Sequence, residues 1–179
     1  MYCVEDDDFL TKEQKEYSDS IITGGVIPYF HNSSSVHGVD DCSFLTHVVI
    51  KRRHERTNPN EINSPQWEFM KSLLDSFCSK NNIQYNEVLR CAINYTYNNG
   101  AEHSPIHVDE EDEHKQLLIY LNNPQDKESH TVILDDDEQT ELKRIIPEKF
   151  KGVCFDAKPH YAIYPKVGHR ILVVFTFTY

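Results

Sequence analysis

A mainly β fold of the α+β kind, a sandwich or barrel of short strands with helices near the N-terminus, is predicted by three features of this chain. From Glu87 onward, strand-like runs separated by polar loops fall near Val88–Tyr97, Gln116–Leu121, Thr131–Leu134, Gly152–Phe155, His160–Tyr164 and Arg170–Thr178. Short strands at such spacing belong to sandwiches and barrels. The last run, Ile171-Leu172-Val173-Val174-Phe175-Thr176-Phe177, is apolar on both faces near its middle, which makes it a central strand covered from both sides. Ahead of Glu87, two helical patterns with start signals supply material to cover a sheet.

Taken in order, residues 1–9 are acidic and read as a frayed end. Thr11 followed by Gln14 is a capping-box pattern that starts a helix from Lys12 to about Ile22, and Gly24-Gly25 stops it. Val26-Ile27-Pro28-Tyr29-Phe30 reads as a short edge strand because of its proline. His31 to Asp41, rich in Ser, Asn, Asp and Gly, reads as a loop, and Phe44 to Lys51 as a strand. Lys51-Arg52-Arg53-His54-Glu55-Arg56 is the one basic cluster; it is either a solvated strand end and loop or a contact for an acidic group on a partner or substrate. Ser64 as N-cap and Pro65 at the first helical position open a second helix. Its stripe of Trp67, Met70, Leu74 and Phe77 should lie on a sheet. Asp135 to Glu138 should be an exposed loop.

At 179 residues the chain suits one domain, and 39 % hydrophobic residues with 10 Tyr and 9 Phe exclude a disordered polypeptide. A formal net charge of −11 argues against binding a polyanion and favours a neutral or cationic partner. No apolar run reaches membrane-spanning length, and the start does not read as a signal peptide. Five scattered cysteines without a Cys-x-x-Cys pair read as reduced thiols, so the expected location is cytoplasmic. The oligomeric state is not legible.

The chemistry centres on His107-Val108-Asp109, at the mouth of a strand after the loop Asn98–Pro105. On an extended backbone, residues two apart point to the same side. An imidazole beside a carboxylate makes two-thirds of the facial triad of non-haem Fe(II) oxygenases. With 10 His and 29 acidic residues such triplets arise by chance, so position must decide. His160, at the start of a later strand, is the expected third ligand. His130 lies in a polar loop, and His169 should face away from its neighbour Arg170. His103 and His114 should line the entrance or face solvent. A hairpin centred near Lys166 and Val167 would set Arg170 opposite Ile163, roughly 10 Å from His160. That span suits a small dicarboxylate held by metal at one end and guanidinium at the other.

The order His107-x-Asp109, His160, Arg170 resembles the Fe(II)- and 2-oxoglutarate-dependent dioxygenase superfamily, most nearly its prolyl-4-hydroxylase-like branch with short phage and bacterial members. The likeness spans about Arg90 to Thr178. It includes Arg90-Cys91-Ala92-Ile93-Asn94, Tyr120-Leu121-Asn122 and Gly168-His169-Arg170-Ile171-Leu172. It implies a double-stranded β-helix (jelly roll) at 86–179 with a helix-bearing support at 1–85, together forming one domain, 1–179. It further implies Fe(II) on His107, Asp109 and His160, with 2-oxoglutarate on Arg170, O2, and ascorbate as an accessory reductant. The implied reaction is hydroxylation of a peptidyl or amino-acid substrate. Tyr95 or Tyr97 is expected to contact 2-oxoglutarate, with Gln116, Leu118 and Tyr120 lining the pocket and Thr131 beside it.

Two departures bear on prolyl specificity. Glu128-Ser129-His130-Thr131 keeps only the threonine of a Gly-Gly-x-Thr motif, and the last strand carries Arg where many prolyl hydroxylases have Lys. Asn94-x-x-Tyr97 is also similar to AlkB-type nucleic-acid demethylases, but Thr176 stands where those carry a second arginine. A cupin-like dioxygenase would keep the triad without needing Arg170, and a catalytically silent binding module would need neither.

Overall fold

The structure, a computed structural model, describes residues 2–36, 40–59 and 61–179. In chain order its elements are β1 (Cys3–Asp6), α1 (Lys12–Tyr17) running into a π-helical turn (Ser18–Thr23), β2 (Phe30–Asn32), β3 (Phe44–Ile50), a 3₁₀ turn (Arg53–Glu55) and α2 (Trp67–Lys80). Then follow β4 (Glu87–Tyr97), β5 (Lys115–Tyr120), β6 (Thr131–Leu134), β7 (Glu141–Ile145), β8 (Gly152–Asp156), β9 (His160–Ala162) and β10 (His169–Thr178).

The capping box forms: Thr11 Oγ1 accepts from the Gln14 amide at 3.2 Å, and the Thr11 amide donates to Gln14 Oε1 at 2.9 Å. The helix widens into the π turn after Tyr17 and ends at Gly24, with Gly25 at φ +77°. The edge strand begins at Phe30 rather than Val26, after Pro28, whose carbonyl oxygen pairs with His47 Nδ1 at 2.8 Å. Of the loop expected over His31 to Asp41, His37-Gly38-Val39 lies outside the described residues. The second helix starts at Trp67, two residues later than Pro65. Ser64 Oγ caps the Gln66 amide at 3.2 Å and bonds His47 Nε2 at 2.7 Å, holding a turn ahead of the helix.

The large antiparallel sheet runs β1-β8-β5-β10-β4-β3-β2, and the small one runs β7-β6-β9. β10 lies between β5 and β4, and its side chains divide by parity. Ile171, Val173 and Phe175 join Met70, Leu73, Leu74 and Phe77 of α2 in one core. Leu172 and Val174 join Leu118, Tyr120, Ile133 and Ile145 in a second core between the two sheets. Helices, large sheet and small sheet thus stack as three layers, which is why β10 is apolar on both faces.

Two expectations need correction, and one strand has no counterpart among them. Residues 3–6 are not frayed but form β1, paired with β8 from Cys3↔Phe155 to Asp6↔Gly152. Glu141–Ile145, which carries too many charges to stand out as a strand, forms β7 at the edge of the small sheet. Arg170 is not in a hairpin with Ile163: β9 pairs with β6, whereas Arg170 pairs with Thr96 of β4. The chain crosses from one sheet to the other between β9 and β10, so the intervening turn joins layers.

α2 packs tightly on the sheet at Gly152, where an added Cβ would lie 2.6 Å from the Phe77 ring and 2.9 Å from Phe9. Those rings already meet edge to face, with centroids 5.0 Å apart. Gly152→Ala is therefore expected to destabilise the fold by about 1–3 kcal/mol, read as a lower urea midpoint at unchanged slope. An unaltered midpoint would show that the helix shifts without strain.

Candidate metal centre

Backbone pairing brings the two histidines together. His107 and His160 face each other across an isolated antiparallel bridge, with amide-to-carbonyl bonds of 3.1 and 3.0 Å in both directions. Directly opposed residues share a face, and their ring centroids lie 4.5 Å apart. Asp109, two residues beyond His107, turns Oδ2 to 3.7 Å from His160 Nε2. One ligand atom from each of His107, Asp109 and His160 lies within 4.8 Å of the others. Among the described residues this is the one such cluster.

The tautomers suit metal binding. His107 Nδ1 bonds the Pro105 carbonyl oxygen at 2.9 Å, and His160 Nδ1 bonds that of Lys158 at 2.9 Å. With Nδ1 protonated and donating, each Nε2 presents a lone pair. Burial pushes the His160 imidazole down to about 4, assisted by His107 and opposed by Asp109. Burial alone would raise the Asp109 carboxyl, but Arg90, both imidazoles and Arg52 hold it well below the usual carboxylate range. Two imidazoles and one carboxylate are the donor set of a non-haem iron site.

These groups open into a cavity of roughly 680 Å³, part of it open to solvent. At its other end lies Arg170, 2 % exposed. Its Nη1 donates to the carbonyl oxygens of Ser129 at 2.9 Å and His130 at 3.3 Å, while its buried Nε has no partner. Arg170 forms no ion pair among the described residues, and burial lowers its pKa, with Tyr120 and Tyr164 opposing. A guanidinium stays charged in proteins, so this cation is short of an anion. His130 lies three residues along the chain from Ile133, the β6 partner of His160. At ~3.4 Å per residue that sets the His130 backbone, which Arg170 bonds, about 10 Å along the chain from the β6 partner of His160.

Several expected residues meet here. Gln116, Leu118 and Thr131 line the cavity, with Gln116 Nε2 3.3 Å from His160 Nε2. Tyr120 hydrogen-bonds Thr131 Oγ1 at 2.9 Å and packs in the inner core with Leu118. The tyrosines of β4 do not join them. Tyr95 stacks on His169 at 4.6 Å and packs in the helix-side core, and Tyr97 Oη lies 3.2 Å from Ser43 Oγ. Strand parity turns Asn94 and Thr96 to the cavity instead, and Tyr164 comes from the other wall. His103 is exposed against Tyr161, but His114 is buried, its Nδ1 bonded to the Asp112 carbonyl oxygen at 2.7 Å. An even position in line with Gln116 turns it inward.

The basic cluster has a role that sequence reading missed. Arg52 donates to the Asp109 carbonyl oxygen, to Asp109 Oδ1 at 3.0 Å and to Glu110 Oε1 at 2.8 Å. Arg53 pairs with Glu87 and, at 3.0 Å, with Asp112. Arg56 bonds the Lys51, Val88 and Leu89 carbonyl oxygens at 2.8, 2.9 and 2.6 Å. The acidic partners are internal.

By sequence, no family model and no curated protein matches this chain. By structure, it superposes on an oxidoreductase of the 2OG-Fe(II) oxygenase family from Burkholderia pseudomallei, with a TM-score of 0.76, 15 % identity, and coverage of 98 % of this chain and 84 % of that one. A Trichoplax adhaerens prolyl hydroxylase, solved with a hypoxia inducible factor peptide, matches at TM-score 0.65 and 15 % identity, covering 98 % and 83 %. A viral collagen prolyl hydroxylase from Paramecium Bursaria Chlorella virus-1, solved with 2OG, matches at 0.58 and 15 %, covering 100 % and 97 %. The fold is therefore the jelly roll of the 2OG-Fe(II) oxygenases. Prolyl hydroxylases are among its structural neighbours.

Proposed function

We propose that this chain is an Fe(II)- and 2-oxoglutarate-dependent dioxygenase that hydroxylates a peptidyl or amino-acid substrate. The observation carrying this reading is Arg170, a buried guanidinium without a carboxylate partner among the described residues, facing a cavity with the His107, Asp109 and His160 donors at its other end. An uncompensated buried cation is costly, and a bound dicarboxylate would supply its anion.

Iron with 2-oxoglutarate and O2 supplies the oxidising chemistry, coupling decarboxylation to succinate with hydroxylation of a C–H bond. In this reading His107, Asp109 and His160 hold the ion, and Arg170 orients 2-oxoglutarate by pairing its C5 carboxylate. Leu118, Leu172 and Val174 supply apolar lining to the cavity. Ascorbate fits as an accessory reductant. All five cysteines are free, and no described helix is long and apolar enough to cross a membrane. A reducing, cytoplasmic setting suits such a site.

The test measures succinate release and oxygen uptake against peptide, free amino-acid and nucleic-acid panels. Turnover stimulated by a peptide or amino acid supports the proposal; stimulation only by methylated nucleic acid overturns its substrate class. A cupin-like dioxygenase would turn over without 2-oxoglutarate. The nucleic-acid reading is further disfavoured by the internal pairing of Arg52, Arg53 and Arg56 and the net charge of −11. Retention of single- or double-stranded DNA at physiological salt should be weak, and a tight, salt-resistant complex would reverse that ranking.

A further inference from the structure

Asp109 is gripped from two sides by arginines belonging to different elements. Arg52, just beyond β3, and Arg90, on β4, both donate to Oδ1, at 3.0 and 3.2 Å. Oδ2 faces His160 Nε2. Both arginine side chains are largely buried, 19 % and 14 % exposed, and the carboxylate is 5 % exposed, so these contacts are poorly screened by solvent. Arg52 also binds the Asp109 carbonyl oxygen and Glu110, fixing the backbone that carries the ligand. The segment bearing Arg52 does not depend on Asp109 for its place, because Arg56 ties it to the Val88 and Leu89 carbonyl oxygens of β4.

We infer that Arg52 and Arg90 are positioning residues that occupy Asp109 Oδ1 and so make Oδ2 the single oxygen offered to the metal. A carboxylate can bind an ion through one oxygen or two, and the second mode would consume a coordination position needed by co-substrate or oxygen. With two guanidinium donors on Oδ1, that mode requires breaking both charge-assisted bonds. The arginines thus keep positions open without touching the ion. This inference rests on the reading of His107, Asp109 and His160 as metal ligands.

The test loads wild type, Arg52→Gln, Arg90→Gln and the double variant with Co(II), whose d–d absorption reports coordination number and geometry. Arg53→Gln is the control, since Arg53 holds the same segment through Glu87 and Asp112 without reaching Asp109. The Asp109-facing variants should show altered d–d bands, most strongly in the double variant, and Co(II) affinity lower by roughly ten- to a hundredfold. Arg53→Gln should match wild type. If Arg52→Gln does not fold, Arg52→Lys, which keeps the charge but lacks the planar fork that reaches Asp109 through two nitrogens, takes its place with an intermediate spectrum.

Unchanged d–d bands in both single variants and the double variant, whatever the affinity, would overturn the inference. An equal change in Arg53→Gln would also overturn it, by making segment docking the cause. A wild type that binds no Co(II), or binds it equally well as His107→Ala, fails the metal reading itself and this inference with it. Wild-type binding that depends on His107 but is indifferent to Arg52 and Arg90 fails this inference alone.

Discussion

Replacing His107 or His160 by Ala, or Asp109 by Asn, is expected to weaken Fe(II) binding by at least roughly a hundredfold, because each ligand of a protein metal site contributes a few kcal/mol. Asn is the better probe at position 109. Alanine there would remove the oxygen that accepts from both Arg52 and Arg90, whereas the Asn amide, though equally uncharged, keeps an acceptor of the same shape in place. The controls are the other histidines of the region. His169 stacks on Tyr95 on the helix side of the large sheet, and His103 packs on Tyr161. Their alanine variants, and that of His130, should bind iron like wild type. Anaerobic Fe(II) titration decides the matter: equal losses from His169→Ala and His160→Ala would sink the ligand assignment.

What the sequence made legible is what local chemistry determines. The capping box at Thr11, the β-branched run of β3 and the double-faced apolar run of β10 each carry their signal within a few residues, and each forms. The spacing of His107 and Asp109 was visible too, although neither sits in a named strand and it is the bridge from His107 to His160 that gathers the three groups. Partners far apart in the chain were not. β1 is a four-residue acidic segment that becomes a strand only because β8 offers its edge, and β7 presents mostly charges. Arg52 lies 57 residues from Asp109, so a basic cluster with acidic partners inside the same molecule looked like a surface feature. Sequence parity placed Tyr95 and Tyr97 on one face of β4 and Asn94 and Thr96 on the other. Only the position of α2 decides which face meets the cavity.

Arg170→Ala should leave iron binding nearly intact while raising the apparent dissociation constant of 2-oxoglutarate by tens- to hundreds-fold. The size follows from the bonds at stake. Charge-assisted hydrogen bonds are worth about 1.5–3 kcal/mol, and more when a buried carboxylate is left unpaired. The side chain is prepared for such a partner: Nη1 is spent on the Ser129 and His130 carbonyl oxygens, which aim the guanidinium, while Nε remains unbonded. Arg170→Lys should fall between, because an ammonium keeps the charge but loses the fork that matches a carboxylate. Arg170→Met, which roughly keeps the volume and removes the charge, separates loss of the anion site from a packing defect and should resemble alanine. The measurement is a titration of 2-oxoglutarate into the anaerobic Fe(II) protein, following the metal-to-ligand charge-transfer band. Iron affinity is determined beside it for each variant. A wild type with no such band, or an Arg170→Ala protein that titrates like wild type, would remove the co-substrate from this end of the cavity. The reading as a cupin-like metal dioxygenase, which needs the triad but not Arg170, would then move ahead.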